Sequence, residues 1–329
     1  HGTAYYNLGD SIWNSRNPYA AQKAPFLLKE YGGSVEGPLS KSASFFFIVE
    51  RAAIDNGAII NGTTIDPNTL TIIDPFTQVF RIPQRRIRVS PRLDYQLTPT
   101  DTLSVRYAFS TADIQYSGVG GFNLVSTGIH NYGEDHTAQI SNTKVLGPSA
   151  VNETRFQFYR ASISSISDDS SPQIDVLNAF IGGGAQVGNS FNRLDTYELQ
   201  NNTTVTHAGQ TWRFGMRMRA ATLDNTSPVD FGGTFTFGGS VAPALNANNQ
   251  PLPELVSIDS IESYRRTLLF ERMGLSPSQI RARGGGASQF TINAGRPSLS
   301  VNQQDIGLFI NDDWRSRPNL TINVGLRYE

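Results

Sequence analysis

The sequence predicts an all-β fold, an antiparallel up-and-down transmembrane β-barrel present as about ten strands of a larger barrel. Short turns are expected on one rim, long loops on the other, and a short helix in the last long loop. Three observations carry this. Apolar and polar residues alternate over segments longer than ordinary strands, connections between the segments are alternately short and long, and one strand holds three arginines opposite an unbroken apolar face.

The clearest segment runs from Thr102 to Ser110, where Leu103, Val105, Tyr107 and Phe109 alternate with Ser104, Arg106 and Ala108. Residues 85–97 repeat the pattern, with Ile87, Val89, Leu93, Tyr95 and Leu97 opposite Arg86, Arg88, Arg92, Asp94 and Gln96. Thr98-Pro99-Thr100-Asp101 joins the two as a tight turn. Residues 132–146 and 151–165 flank Gly147-Pro148-Ser149-Ala150, and 191–206 and 211–224 flank His207-Ala208-Gly209-Gln210. Residues 302–315 and 319–329 flank Ser316-Arg317-Pro318, and an opening pair, 30–36 and 44–53, is joined through Gly37-Pro38-Leu39-Ser40-Lys41.

The other connections, residues 54–84, 113–131, 166–190 and 225–301, are long. Alternate connections of an up-and-down sheet lie at the same end, so the short turns share one rim and the long loops the other, as in outer-membrane barrels. In the last loop, Glu254 to Arg272 places Leu255, Ile258, Ile261, Leu268 and Leu269 at roughly helical spacing. Ser276 before Pro277 reads as an N-cap followed by proline at the first position of a second helical turn.

The strand from Thr211 assigns the faces. Trp212, Phe214, Met216 and Met218 alternate with Arg213, Gly215, Arg217 and Arg219, and turning each arginine to lipid would cost about 2 to 4 kcal/mol near the bilayer midplane. The apolar face therefore meets lipid, and Arg86, Arg88, Arg92, Arg106, Arg213, Arg217, Arg219 and Arg327 are expected in a polar lumen, where Arg213, Arg217 and Arg219 pair with acids inside the barrel or attract an anionic ligand. Tyr95, Tyr107, Trp212, Trp314 and Tyr328 suit interfacial girdles. A soluble sheet with one face on a core shows the same alternation. Arginine-bearing inner faces, long strands and one-sided loops together favour the membrane.

Composition excludes other classes. A net charge of −1 argues against nucleic acid, the absence of cysteine removes disulfides and thiolate chemistry, and no run of about 18 apolar residues provides a transmembrane helix. His1, His130, His136 and His207 are too scattered for a metal site, and Asp135 beside His136 lacks a matching serine motif. Adjacent Asp312 and Asp313 point to opposite faces of a strand. Asp66 and Asp168-Asp169 match no calcium loop, and Gly182-Gly183-Gly184 and Gly284-Gly285-Gly286 lack the Lys-Ser/Thr of a phosphate loop. No catalytic, cofactor or metal residue is assigned, and no enzyme is expected.

The end of the chain, Gln304-Asp305-Ile306-Gly307-Leu308-Phe309-Ile310-Asn311-Asp312-Asp313-Trp314-Arg315 and then Pro318-Asn319-Leu320-Thr321-Ile322-Asn323-Val324-Gly325-Leu326-Arg327-Tyr328-Glu329, resembles a hairpin of TonB-dependent receptors, with Asn311 where Gln is usual. His1-Gly2-Thr3-Ala4-Tyr5-Tyr6, Asn17-Pro18-Tyr19, Tyr31-Gly32-Gly33-Ser34-Val35-Glu36-Gly37-Pro38 and Phe45-Phe46-Phe47 resemble the plug-to-barrel junction of the Oar-like subgroup, whose members often carry a carboxypeptidase regulatory-like domain and have Gly at the position of Glu36. The resemblance implies an outer-membrane transporter with a plugged barrel of about 22 strands. Residues 1–28 would then finish the plug and linker, and 29–329 would form the first part of the barrel.

Starting at His1 and ending in mid-pattern, the chain reads as a fragment, and a half barrel with two open edges should not insert stably alone. The implied partners are outer-membrane lipid, the TonB energy-transducing complex acting through a further N-terminal part, and an unidentified extracellular ligand. Because the subgroup's extra domain is similar to carbohydrate-binding modules, a glycan or peptide is preferred over an iron chelate. The alternative is a structural or adhesive surface barrel without transport.

Overall fold

The computed structural model describes residues 1–16 and 23–329. The chain opens with β1 (Gly2–Asp10), β2 (Leu27–Pro38) and β3 (Ala43–Ile65). It continues through β4 (Ile72–Thr98), β5 (Asp101–Ser117), β6 (Ile129–Gly147) and β7 (Ala150–Ser167). Short strands β8 (Gln173–Val176) and β9 (Phe180–Gly183) precede β10 (Asn189–His207) and β11 (Gln210–Thr226). The longest excursion holds β12 (Thr234–Phe237), β13 (Ser240–Leu245), β14 (Pro251–Ile258), α1 (Ser260–Arg272), α2 (Pro277–Ala282) and β15 (Gln289–Thr291). β16 (Ser298–Arg317) and β17 (Leu320–Tyr328) follow.

Eleven of these strands form one antiparallel meander in the order β1-β2-β3-β4-β5-β6-β7-β10-β11-β16-β17. The turns at 39–42, 99–100, 148–149, 208–209 and 318–319 all lie on one rim, as the short connections required. No helix is long and apolar enough to cross a membrane.

Three expectations are corrected. The sheet begins at Gly2, not after residue 28: β1 pairs with β2 from Gly2↔Val35 to Asp10↔Leu27, since Ala4, Tyr6 and Leu8 already alternate with Thr3, Tyr5 and Asn7. Asn17-Pro18-Tyr19 lies outside the described residues. Residues 54–84 are mostly the upper halves of β3 and β4, a protruding hairpin paired up to Ile65↔Ile72. β5 pairs with β4 only up to Gln84↔Ile114, so Pro83 sits where β4 has a free side and its missing N–H costs no ladder bond. Finally, the helix starts at Ser260, because Glu254–Ile258 is strand paired with β13 and Asp259 accepts from the Glu262 N–H at 2.9 Å as the N-cap. The turn opened by Ser276 and Pro277 forms α2, with a complete capping box to Gln279.

The register divides the sheet into two faces. On one lie Leu93, Val89 and Ile87 of β4, Val105 and Phe109 of β5, Phe156 and Phe158 of β7, Phe214, Met216 and Met218 of β11, and Ile306, Leu308 and Ile310 of β16. Much of this face is exposed, Ile306 at 55% and Leu308 at 51%. All fully buried apolar residues described, such as Val176, Phe237 and Phe270, lie instead in the outer loops and the top of β3. A soluble sandwich would bury one face of the sheet. This sheet has no core of its own, and its apolar face meets lipid.

From Trp212 up to Thr222, at about 3.3 Å per residue and a tilt of about 40°, β11 climbs about 25 Å, the height of an outer-membrane apolar band. Ion pairs begin above it on the same face: Arg160 to Asp195 through two bonds of 2.7 Å, Arg193 to Asp224 at 2.6 Å and Arg85 to Asp55 at 3.1 Å. Inside the band, the amides of Asn152 and Asn201 satisfy each other at 3.2 Å and donate to Thr203 and Thr154 at 2.8 Å. Replacing Met216 with Arg at mid-band is expected to destabilise the folded barrel by about 2 to 4 kcal/mol in denaturant titrations, whereas Gln200→Arg on the opposite face should cost under about 1 kcal/mol.

Candidate functional site: the polar face and the outer subdomain

All eight arginines expected in the lumen share the face opposite the apolar band. They form two groups. Arg86, Arg88, Arg92 and Arg106 lie on β4 and β5, while Arg213, Arg217, Arg219 and Arg327 lie on β11 and β17, with β6, β7 and β10 between the groups. Most are held by acids: Arg88 by Glu50 at 3.6 Å, Arg92 by Asp94 at 3.0 Å, Arg213 by Asp313 at 2.8 Å, Arg217 by Glu198 at 2.6 Å, Arg219 by Asp305 at 3.9 Å, and Arg327 by Glu329. Arg86 and Arg106 have no ion-pair partner among the described residues, and Arg106 stands directly across from Arg92. Like charges in that relation are destabilising unless a third group offsets them.

Pairwise registers join into one row across seven strands: Glu30, Ala52, Arg86, Ala112, Gly133, Ile163 and Asn192. The adjoining row holds Glu50, Arg88, Ser110, Asp135 and Ala161. Small residues in both rows open a trough of about 700 Å³ with acids and arginines on its walls. The sequence reading missed Glu30 and Glu50. Its available signal was alanine and glycine at polar-face positions, which becomes a cavity only when strands far apart in sequence align.

Other flagged residues have local roles. Asp135 and His136 face opposite ways: Asp135 accepts from Ser110 at 3.4 Å and Tyr159 at 3.3 Å, while the His136 ring lies 2.7 Å from the Tyr107 hydroxyl. Asp66 caps the tip of the β3–β4 hairpin, accepting from the backbone N–H of Thr69 and Asn68, which hold its carboxyl below the usual range. Asp169 accepts from Ser171 and is lowered likewise. Gly184 lets backbone pass where an added Cβ would lie 2.3 Å from the Asp169 carbonyl, and Gly284, at φ +82°, packs against Ala242.

The long loops fold together above the sheet. β15-β12-β8-β9 form a four-stranded sheet and β13-β14 a hairpin. Phe180 and Phe237 pack edge-on against Tyr264 of α1, with ring centroids 5.5 and 4.9 Å away, in a cluster with Ile65 and Leu70 from the hairpin tip. Arg272 donates to the carbonyls of Pro67 and Asn68, so α1 also grips that tip. Between tip and helix lies a pocket of about 430 Å³ whose lining includes Thr63, Asp74, Asn178, Asp259 and Ser260.

One buried side chain organises this subdomain. Arg266, 4% exposed, donates to Glu262 at 2.8 Å, to the Pro243 carbonyl of β13 at 2.8 Å and to the Arg283 carbonyl after α2 at 3.0 Å. Burial pushes the Glu262 carboxyl up, but hydrogen bonds from Arg265 and Arg266 outweigh it and hold the group below its ordinary value.

Residues 58–329 match the family described as Outer membrane beta barrel domain. The chain belongs to that family. Its fold is similar to the outer membrane transporter YddB from Escherichia coli (10% identity, TM-score 0.59) and the siderophore receptor PirA from Acinetobacter baumannii (11%, 0.53). It is also similar to the G324V mutant of the ferric enterobactin receptor PfeA from Pseudomonas aeruginosa (14%, 0.50). Each likeness covers 99% of this chain and 38% of the other, so this outer-membrane barrel spans well under half the length of those proteins. The curated proteins include no match.

Two predictions follow from the outer subdomain. Arg266→Ala leaves Glu262 without one of its two arginines and removes the link to β13, and is expected to cost about 3 kcal/mol of local stability, read as faster hydrogen exchange in α1 with exchange in β10 and β11 unchanged. A folded pKa for Glu262 below its unfolded value means stabilisation present above the unfolded pKa and lost as pH falls through the folded one. Exchange protection of α1, corrected for intrinsic rates, should therefore fall between neutral pH and about pH 3, more steeply than in Glu262→Gln.

Proposed function

We propose that this barrel forms part of the wall of a TonB-dependent receptor of the Oar-like subgroup, which captures a solute with its outer loops and admits it through a plugged lumen. The observation that carries this reading is the polar face: a charged, trough-bearing surface runs continuously behind a lipid-facing band, under loops packed into an ordered subdomain. Likeness to an outer membrane transporter and to siderophore receptors supports transport over enzymatic chemistry. In this reading the eight arginines face the lumen, and Arg86 and Arg106, which have no ion-pair partner among the described residues, meet carboxylates of a plug.

β1 and β17 are the first and last of eleven antiparallel strands and run in the same direction. Antiparallel closure therefore takes an odd number of further strands, in keeping with the barrel of about 22 that the family resemblance implies. For the solute we propose a glycan or peptide, because the outer pocket offers the acceptors of Asp74, Asn178 and Asp259 to hydroxyl or ammonium donors.

Cells expressing the full-length protein, supplied with labelled oligosaccharides or peptides, are expected to accumulate label only when the TonB complex is functional. Uptake that persists without it would indicate a passive pore, and cell adhesion without uptake would replace the transport reading with the surface-protein one.

A further inference from the structure

One buried carboxylate on the lipid side has an oxygen without a hydrogen-bond partner among the described residues. Asp312 of β16 lies on the apolar face, across from Trp212 of β11 and Val324 of β17, with Trp314 two residues on along the same face. Four other carboxylates on this face are paired with a basic side chain: Asp195 with Arg160, Asp224 with Arg193, Asp55 with Arg81 and Arg85, and Asp101 with Lys144. Asp312 is 9% exposed, its Oδ1 is enclosed, and no donor reaches it among the described residues. The neighbouring arginines are turned away: Arg213 pairs with Asp313 at 2.8 Å on the polar face, and Arg315 donates to the Pro318 carbonyl at 3.2 Å.

The level of this carboxylate identifies what surrounds it. Asp312 is in register with Trp212, the lowest apolar residue of β11, about 25 Å below the polar row that begins at Thr222, and it sits beside the short turn at 318–319. That is the headgroup zone of the inner leaflet. A carboxylate largely buried at such a boundary is stabilised by a cation, and no basic side chain of its own sheet pairs with it among the described residues. Anionic headgroups would be repelled, whereas a primary ammonium provides positive charge and N–H donors. The two indoles, 37% and 43% exposed, offer ring faces that attract the same charge.

We propose that Asp312, Trp212 and Trp314 form a binding site for the ammonium headgroup of an aminophospholipid in the inner leaflet. The site rests on the outer-membrane location and not on transport, so it stands if the uptake reading fails. Its chemistry separates lipids by N–H donation: phosphatidylethanolamine fits, while fully N-methylated phosphatidylcholine keeps the charge and loses every donor.

The test uses the full-length protein purified from outer membranes and placed in nanodiscs containing phosphatidylglycerol with either phosphatidylethanolamine or phosphatidylcholine. Native mass spectrometry is expected to show phosphatidylethanolamine retained about tenfold more strongly than phosphatidylcholine, with a shift in tryptophan emission, and Asp312→Asn should lose the preference while Asp313→Asn keeps it. Equal retention of the two lipids by the unmodified protein would overturn the site, whether or not the variants fold. So would an unchanged preference in Asp312→Asn.

Discussion

The absence of water in the hydrocarbon layer governs this molecule. Each peptide group crossing the layer must find its hydrogen bond within protein, and a meander of long antiparallel strands provides it by pairing each strand with its neighbours. Strand length, register and side-chain facing all follow. Pro83 is tolerated where β4 has no partner on one side, and Pro91 falls at a gap in the β4–β5 ladder. Asn152 and Asn201, unable to turn to water on the apolar face, satisfy one another. Ion pairs on that face lie toward the strand ends, Arg160–Asp195 and Arg193–Asp224 at the outer end and Lys144–Asp101 beside the short turn at 99–100.

Because lipid takes the place of a core, the protein builds a true core only outside the membrane. The outer subdomain is held in the manner of a small soluble domain, with aromatic packing around Tyr264 and a buried arginine joining three segments. Its anchor is the protruding β3–β4 hairpin, which contributes Ile65 and Leu70 to the apolar cluster and backbone carbonyls to Arg272. Ordered loops at the mouth of a barrel lose less conformational entropy when they bind a ligand than free loops would.

The strands and their two faces were legible because they depend on a local period of two, which Leu103 to Phe109 or Trp212 to Met218 display without reference to any other segment. The capped turn at Ser276 was legible for the same reason, since its signals lie within a few residues. Legibility failed where local signals compete. Gly57, Gly62, Pro75 and Pro83 masked a hairpin whose tip is set by packing under the outer subdomain, and Leu255 and Ile258 lent helical spacing to a strand held by β13. Gly2 to Asp10 was given to the end of the plug on the family resemblance alone, although its own alternation marks a strand.

The sequence by itself determined the antiparallel strands, the rim that carries the short turns, and which side of each strand bears charge, because alternation and turn chemistry are properties of neighbouring residues. Only the tertiary structure decided which charges meet. The trough depends on seven strands aligning Ala52, Arg86, Ala112 and Gly133 in one row, and the isolation of Asp312 depends on Trp212, a hundred residues earlier, lying across from it. Register couples residues distant along the chain, and a one-residue slip would send each of them to the opposite face.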